Sequence, residues 1–355
     1  MSRMFVPGPV DVAPEVLQAQ TKPMVPHRSK DFEALFRSTE ERLRKVFYTE
    51  RPVIQGSHSG SGMQEMGIRN FVDKTVLACV NGSFSERWYE VAVNNGKEAD
   101  RLDVEWGKAV TPELLADALK KKHYEAVTIV HNETSTGVES PVAELAKVVR
   151  QVSPDTLILV DAVSSLGGVK VEMDAWGLDF LLTSSQKCFA LPPGLSFGAA
   201  SERAMKKAES VPNRGWYLDI LRMEKHRAKD STPMTPAMSL IYALDVQLDR
   251  MLEEGLENRF ARHAAMAKRF QEFAIANEMH PLADEPYRSK TVVTVKNAKN
   301  WVVGDLNKFL GTRDMRIANG YGKLKDITIR IATMGETSME DIDKLIMAMK
   351  DFMKM

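Results

Sequence analysis

Short apolar segments alternate with amphipathic segments through the middle of the chain, from about residue 50 to residue 200. The apolar segments are rich in Val, Ile and Leu, as is typical of strands buried on both faces, and the intervening segments have apolar residues at helical spacing. The predicted strands are KTVLACV (74–80), EAVTIVHN (125–132), DTLILVDAV (155–163) and DFLLTSS (179–185). This alternation predicts an α/β fold with a mostly parallel sheet covered by helices.

The pattern changes at about residue 245, where a long helical stretch begins. We expect Gly255 to interrupt this stretch, because glycine weakens a helix interior. Two further strands, KTVVTVKN (290–297) and KDITIRIATMG (325–335), and an amphipathic helix over 338–355 are predicted after it. The C-terminal part therefore resembles a second, smaller α/β unit.

Two domains are predicted from this change of pattern and from the length of 355 residues. The larger domain would span residues 1–250, with the N-terminal segment 1–20 near the functional site. The smaller domain would span residues 251–355.

The composition is that of a soluble globular protein and argues against several classes of partner. Hydrophobic residues make up 44% of the chain and charged residues 27%. Basic and acidic residues number 48 each, so no net charge would attract nucleic acid or an anionic membrane. The chain has two cysteines, no signal peptide and no apolar run of about 18 residues. We expect a cytoplasmic protein with no disulfide framework and no metal site.

A serine- and glycine-rich stretch, QGSHSGSGMQEMGIRNF (55–71), contains the first candidate binding site. Its residues 59–62, Ser-Gly-Ser-Gly, precede a helical pattern, so backbone N–H groups and the positive end of a helix dipole would face a bound phosphate. An ordinary helix cap is the alternative. The stretch is not a dinucleotide-binding fingerprint, since Glu65 stands at the third glycine position, and it lacks the Gly-Lys-Ser/Thr of a P-loop.

Three further polar features follow predicted strands, where ligands of open α/β sheets bind. Asp161 ends one strand, HNETSTG (131–137) follows another, and Lys187 follows a third. A carboxylate at the end of a buried strand is costly unless a cation meets it, and a lysine in dry surroundings becomes nucleophilic near neutral pH. Taken singly, these features are also compatible with a helix cap, a polar turn and a solvated side chain.

Taken together, the lysine, the carboxylate and the Ser-Gly stretch suit one molecule, pyridoxal phosphate. Its aldehyde would react with the lysine amine, its ring nitrogen would meet the carboxylate, and its phosphate would bind at the helix end. The conjunction is far more specific than any one of the three features.

The order of motifs over essentially the whole chain resembles that of the class V aminotransferases of fold type I. The motifs are SGSGMQE, NGSFSERWYEV, HNETSTGV, LVDAVSSLGG, SSQKCFALPPG, TPMTPAMSLIYAL and TIRIATMG. The serine–pyruvate and alanine–glyoxylate branch is the most similar. The resemblance implies a large domain with a mostly parallel seven-stranded sheet between helices and a smaller C-terminal α/β domain. It also implies ping-pong transamination with pyridoxal phosphate in a homodimer whose active sites lie at the subunit interface.

Roles for individual residues follow from this resemblance. Lys187 would hold the cofactor covalently, and Asp161 would keep its ring nitrogen protonated. Phe84 would stack on the ring, where many relatives have tryptophan, and Thr134 would hydrogen-bond near the ring hydroxyl. Arg330 would bind the substrate carboxylate by a planar two-point contact.

The resemblance also implies how the cofactor phosphate is bound. Within one chain it assigns the phosphate to Ser59, Gly60, Ser61 and Gln186. Thr232 and Thr235, in TPMTP, resemble the segment that reaches the phosphate in the neighbouring subunit, and the resemblance does not decide between them.

The substrate is defined less closely. Alanine or serine as the donor and pyruvate or glyoxylate as the acceptor are the first expectation. His27 and Arg28 stand where phosphoserine aminotransferases carry a pair that meets the substrate phosphate, so phosphoserine is the alternative, and aspartate is a third possibility. A cysteine desulfurase would need a mobile cysteine in the C-terminal half, where none follows Cys188. A non-catalytic companion subunit of a soluble hydrogenase is the remaining alternative.

Overall fold

The computed structural model describes residues 3–354, which form two larger β-sheets, a two-stranded hairpin and the helices around them. The strands are β1 (Arg3–Phe5), β2 (Val53–Gly56), β3 (Thr75–Val80), β4 (Glu98–Asp103), β5 (Ala126–Val130), β6 (Asn132–Glu133), β7 (Val138–Glu139), β8 (Leu157–Asp161), β9 (Phe180–Ser184), β10 (Ser196–Ala200), β11 (Val292–Lys296), β12 (Met315–Asn319) and β13 (Thr328–Ala332). The helices are α1 (Pro14–Ala19), α2 (Lys30–Phe47), α3 (Gly60–Phe71), α4 (Ser83–Asn94), α5 (Pro112–Leu119), α6 (Val142–Val152), α7 (Glu202–Ser210), α8 (Ile220–Arg227), α9 (Met238–Glu254), α10 (Leu256–Ala276), α11 (Val303–Gly311) and α12 (Met339–Phe352).

The larger sheet has seven strands in the order β2-β10-β9-β8-β5-β3-β4. Strands β3, β4, β5, β8 and β9 pair in parallel, whereas β10 runs antiparallel to both of its neighbours, β2 and β9. The predicted mostly parallel sheet of seven strands is therefore confirmed.

Both faces of this sheet are covered by hydrophobic cores, as the continuous apolar strands require. Along β8, Ile158 and Val160 belong to one core, and Leu157 and Leu159 belong to the core on the opposite face. This alternation follows from the two-residue period of a strand. Helices therefore cover both faces of the sheet, and polar side chains can reach a ligand only at the strand ends.

The strand order brings the ends of four neighbouring strands, β9, β8, β5 and β3, to one edge of the sheet. Lys187 follows β9, and Asp161 is the last residue of β8. Thr134 comes shortly after β5, and Phe84 comes shortly after β3. Side chains that are distant in sequence are thereby placed around a common space.

The second sheet has the order β1-β12-β13-β11 and packs against α10, α11 and α12. The predicted helix break is confirmed, because α9 ends at Glu254 and α10 begins at Leu256. Strand β1 pairs in parallel with β12, so the first described residues belong to the sheet of the C-terminal part. The domain boundary near residue 250 stays a prediction.

A buried arginine on α10 connects this helix to the segments behind Lys187. Arg259 is 1% exposed and pairs with Glu254 at 2.6 Å and with Glu336 at 3.7 Å. Its Nε donates to the carbonyl of Gly167 at 3.0 Å, and its Nη2 donates to the carbonyl of Cys188 at 2.8 Å. The guanidinium therefore satisfies acceptors on several segments at once.

We predict that Arg259→Ala lowers the free energy of unfolding by about 3–5 kcal/mol, because it leaves the carbonyls of Gly167 and Cys188 without this donor and removes one of the two arginines that pair with Glu254. Arg269→Ala, on the same helix, is the control, since Arg269 is exposed and, among residues 3–354, pairs only with Asp343 at 2.9 Å. The control should cost about 0–1 kcal/mol. Urea unfolding measures both, and equal losses would contradict the prediction.

Candidate active site

A cavity of about 450 Å³ opens at the edge of the large sheet where these strands end. This volume suits a small ligand. Nine of the residues singled out from the sequence line it, and they are Ser59, Gly60, Ser61, Phe84, Thr134, Asp161, Gln186, Lys187 and Arg330. The structure therefore brings together residues from five separate strand ends and from the second sheet.

Lys187 lies in the loop after β9 and is 8% exposed. Burial, and then the positive charge of Arg330, lower the pKa of its amine to about 8. The amine donates a hydrogen bond to the carbonyl of Pro7 and lies 5.9 Å from the centroid of the Phe84 ring. The lowered pKa makes the neutral, nucleophilic form of this amine more abundant near neutral pH than it is for an ordinary lysine.

The N-terminal segment runs directly across this lysine. Gly8 has a φ of 90°, and a Cβ added to it would come within 2.7 Å of Lys187 Cδ. The backbone N–H of Val10 donates to the carbonyl of Gln186 at 3.2 Å. Only glycine allows the backbone to approach the lysine this closely in this conformation.

Asp161, at the end of β8, is 6% exposed. It accepts hydrogen bonds from Gln64 Nε2 and from the backbone N–H of Val163, both at 2.8 Å. Burial is the main cause that raises the pKa of this carboxyl to about 6. Within residues 3–354 no basic side chain forms an ion pair with it, so it can meet a cationic ligand group.

Helix α3 begins at the rim of the cavity, with Ser59 as its N-cap residue. A Cβ added to Gly60 would lie 2.8 Å from a methyl group of Val163, so this position leaves no room for a side chain. Ser184 Oγ is buried beside Gly60 and has no hydrogen-bond partner in the described part of the chain. These features make a polar site for an anion at the helix N-terminus.

Arg87 and Ser184 are cavity residues that the sequence reasoning missed. Arg87 Nη1 donates to Ser61 Oγ at 3.2 Å, and the guanidinium lies 4.9 Å from the centroid of Phe84. Both could have been found from spacing, since Arg87 lies one helical turn after Phe84 and Ser184 ends the strand before Lys187.

Tyr321 was also missed, and it connects the two sheets across the cavity. Its ring stacks on Phe84 with a centroid distance of 5.3 Å and an interplanar angle of 23°. The Arg330 guanidinium lies 5.4 Å from the centroid of the same Tyr321 ring. Nothing in the local sequence signals this contact, because it depends on how the second sheet packs.

Arg330 projects from β13 into the cavity and is 8% exposed. Its Nε donates to the carbonyl of Asn319 at 2.9 Å, and its Nη1 donates to the carbonyl of Thr134 at 3.4 Å. Burial lowers its pKa to about 10, which leaves it charged at neutral pH. No carboxylate of residues 3–354 pairs with it, so it can bind an anionic ligand group.

Four of the predicted site residues do not line this cavity. Thr232 is buried, and its hydroxyl donates to the carbonyl of Met234 at 2.7 Å, whereas Thr235 is exposed. Arg28 is exposed and its guanidinium lies 3.5 Å from the carbonyl of Thr232, and His27 precedes it. Arg28 and Thr232 are therefore in contact outside the cavity, and His27 and Thr235 belong to the same two segments.

Over residues 3–354, no helix is long and apolar enough to cross a membrane. The same residues contain no group of three or more His, Cys, Asp or Glu side chains that could hold a metal ion.

The sequence matches the family model described as aminotransferase class V over residues 15–345. The chain belongs to the class V aminotransferase family. It is therefore an aminotransferase, and the cofactor of this family is pyridoxal phosphate.

Curated relatives cover nearly the whole of this class V aminotransferase. An uncharacterized aminotransferase of Methanocaldococcus jannaschii is 40% identical over 94% of the chain and 87% of the relative. A protein named as the small subunit of a soluble hydrogenase of Synechococcus sp. is 32% identical over 98% and 91% of the two chains. The L-aspartate–glyoxylate aminotransferase of Paracoccus denitrificans is 32% identical over 94% and 86%.

Solved structures show the same fold. The alanine–glyoxylate aminotransferase of Nostoc sp. superposes with a TM-score of 0.92 at 32% identity, covering 99% of this chain and 95% of that one. The fold type I architecture expected from the sequence is confirmed.

The cavity suits the cofactor of the family on three grounds. Lys187 offers a buried amine of lowered pKa, and Asp161 offers a buried carboxylate without an ion-pair partner in the described residues. Ser184 Oγ offers an unsatisfied polar atom beside the start of α3. An aldehyde, a protonated ring nitrogen and a phosphate would each find a complementary group.

We predict that pyridoxal phosphate followed by borohydride reduction attaches the pyridoxyl group to Lys187 of the cofactor-free protein. Only the neutral amine reacts, so the rate should rise with pH around a midpoint of about 8, the lowered pKa of this lysine. Peptide mass spectrometry after reduction at several pH values measures it. Lys187→Arg should abolish this label and leave labelling of exposed lysines unchanged, whereas a midpoint above about 10 would contradict the prediction.

Proposed function

We propose that this aminotransferase moves the amino group of a small L-amino acid, alanine or serine, to a small 2-oxo acid, glyoxylate or pyruvate, by a ping-pong mechanism. The observation that carries the proposal is that the Lys187 amine, the Asp161 carboxylate and the Arg330 guanidinium line one cavity. The relatives described above, two of which are named for glyoxylate, support the choice of acceptor.

The cofactor would be held by residues that already surround the cavity. Lys187 would bind it covalently, Asp161 would keep its ring nitrogen protonated, Phe84 would stack on its ring, and Thr134 would hydrogen-bond near its ring hydroxyl. For the phosphate we propose Ser59, Gly60, Ser61 and Gln186, together with Ser184 and Arg87.

Two residues of this chain would act on the reacting amino acid. When bound, the cofactor supplies an electron sink for the electron pair that remains at Cα of the substrate after the proton has left. Lys187 would take the proton from Cα of the amino acid and deliver it to the C4′ carbon of the cofactor, and it would move a proton in the reverse direction in the second half-reaction. A pKa of about 8 suits a base that works near neutral pH. Arg330 would hold the substrate carboxylate by two parallel hydrogen bonds, which orients Cα toward the lysine.

The cavity walls support a small substrate side chain. The lining of the cavity includes the apolar residues Val6 and Pro7 of the N-terminal segment and Ala318 of β12. Arg87 is engaged with Ser61 at the phosphate end of the cavity. A second charge on the substrate would therefore be buried against apolar walls, which costs affinity.

We further propose a homodimer in which a second copy completes the site. None of the residues Thr232, Thr235, His27 and Arg28 lines the cavity of its own chain, and Arg28 contacts Thr232. In a dimer these residues could reach the cofactor phosphate or the substrate of the neighbouring subunit, as the family resemblance implies. We also propose that residues 1–250 form the larger domain of each subunit and residues 251–355 the smaller one.

We expect alanine or serine to be the preferred donor with glyoxylate or pyruvate, with kcat/KM at least about tenfold above that of aspartate or phosphoserine. Steady-state rates with all four donors measure this. Phosphoserine as the best donor, with a preference that collapses in Arg28→Ala, would contradict the prediction.

Aspartate is a second candidate donor because Arg87 is another cation in the cavity with no ion-pair partner among residues 3–354. Arg87 would bind either the cofactor phosphate or the side-chain carboxylate of aspartate, and the variant Arg87→Met distinguishes these two roles. We expect it to weaken cofactor binding and to leave the order of donors unchanged. A selective loss of the aspartate reaction would instead support aspartate as the substrate.

We predict that Arg330→Gln lowers kcat/KM about 100-fold or more for every amino acid and 2-oxo acid, because it removes a charged two-point contact to a group that all of them share. Cofactor uptake, followed by visible absorbance, should remain. Unchanged kcat/KM would contradict the assignment. If the wild-type protein takes up no pyridoxal phosphate and Lys187→Ala does not change its properties, the alternative of a non-catalytic companion subunit of a soluble hydrogenase is favoured.

A further inference from the structure

A fully buried carboxylate beside the cavity has no part in the chemistry described so far. Glu133, in β6, is 0% exposed. It accepts hydrogen bonds from the backbone N–H groups of Phe84 at 3.1 Å, Ser85 at 2.8 Å and Ser135 at 3.1 Å. The hydroxyls of Ser85 and Ser135 donate to it at 2.9 and 2.7 Å. No ion pair to it occurs within residues 3–354.

These donors identify Glu133 as the cap of helix α4, supplied from a different strand. The helix begins at Ser83, and its own N-cap residue, Gly82, has no side chain with which to bind the first N–H groups. A carboxylate at this end is stabilised by free N–H groups and by the helix dipole. A Cβ added to Gly82 would lie 2.3 Å from Glu133 Cγ, so glycine leaves the room that the carboxylate occupies.

The first two turns of this helix carry two side chains of the cavity. Phe84 stacks on Tyr321 and faces the Lys187 amine, and Arg87 donates to Ser61 at the start of α3. Both oxygens of Glu133 are used by donors of the protein, so the carboxylate is not free to contact a ligand. Its effect on a ligand must therefore pass through the helix.

We propose that Glu133 is a positioning residue for the cofactor. By anchoring the N-terminus of α4, it sets the Phe84 ring and the Arg87 guanidinium against the bound cofactor. The inference rests on the cofactor site proposed above and deepens it. The adjacent carbonyl of Thr134 accepts from Arg330, so the same short segment also orients the residue assigned to the substrate carboxylate.

The test is Glu133→Gln in the full-length protein, with cofactor affinity and visible circular dichroism as readouts. The amide keeps the shape of the side chain but directs an N–H donor at the N–H donors of α4. We expect the dissociation constant for pyridoxal phosphate to rise about 10–100-fold and the circular dichroism of the bound cofactor to weaken, because the ring is held less firmly. Ser85→Ala, which removes one donor, should give a smaller change in the same direction.

The matched control is Glu139→Gln on the neighbouring strand β7. Glu139 forms an ion pair with Lys290 and makes no hydrogen bond to α4. The variant Glu139→Gln should leave the affinity for pyridoxal phosphate and the circular dichroism of the bound cofactor unchanged. In a Phe84→Leu background, Glu133→Gln should change affinity less than it does in the wild type, since the two residues act through one contact.

Each outcome bears on one proposal only. If the wild type takes up no pyridoxal phosphate, the proposed function fails. If the wild type binds it and Glu133→Gln binds it with the same affinity and circular dichroism, the positioning role is overturned. A lowered unfolding temperature alone, with both readouts unchanged, overturns it as well. Should Glu133→Gln not fold, Ser85→Ala and Ser135→Ala decide, and two unchanged affinities overturn the role.

Discussion

Burial of charge without a charged partner is the constraint on which the rest of this structure depends. Lys187, Asp161 and Arg330 are each less than a tenth exposed, and none of them forms an ion pair within residues 3–354. A lone buried charge costs free energy of folding unless hydrogen bonds or a ligand compensate it. Carbonyl and amide groups of the protein compensate part of this cost, and the altered pKa values reflect the remainder. The fold thus holds a cavity whose charges are complementary to a cofactor and a carboxylate.

The strand pattern of the sequence located residues at the ends of buried strands, whereas Phe84 and Arg330 were assigned only from the family resemblance. Asp161 and Lys187 could be placed because parallel strands carry their carboxyl ends to one edge, and the alternating pattern predicted that sheet. Arg87 and Tyr321 do not end a buried strand, so this rule does not place them, although the spacing of Arg87 from Phe84 on α4 could have indicated the first. The first depends on the rotation of α4 about its axis, and the second depends on how the second sheet packs against the first. Glu133 resembled a polar turn because the helix N–H groups that it binds, those of Phe84 and Ser85, lie 49 and 48 residues earlier in the chain.

Residues outside the cavity hold its chemical groups in place from two directions. Behind the lysine, Arg259 binds the carbonyl of Cys188 and ties α10 to the loop that carries the amine. Beside the ring, the cap of α4 fixes Phe84. Such supports reduce the freedom of the side chains that must meet a ligand, and this preorganisation lowers the entropy lost on binding. The precision of the site therefore depends on packing well away from it.

The path of the N-terminal segment has a mechanical consequence. Strand β1 is hydrogen-bonded to β12, and β12 is hydrogen-bonded to β13, which carries Arg330. A few residues further on, the same segment crosses Lys187 at Gly8. Any rotation of the second sheet against the first would therefore pull this segment across the lysine as it moves the arginine. The exposure of the Lys187 amine and the position of the Arg330 guanidinium would then change together.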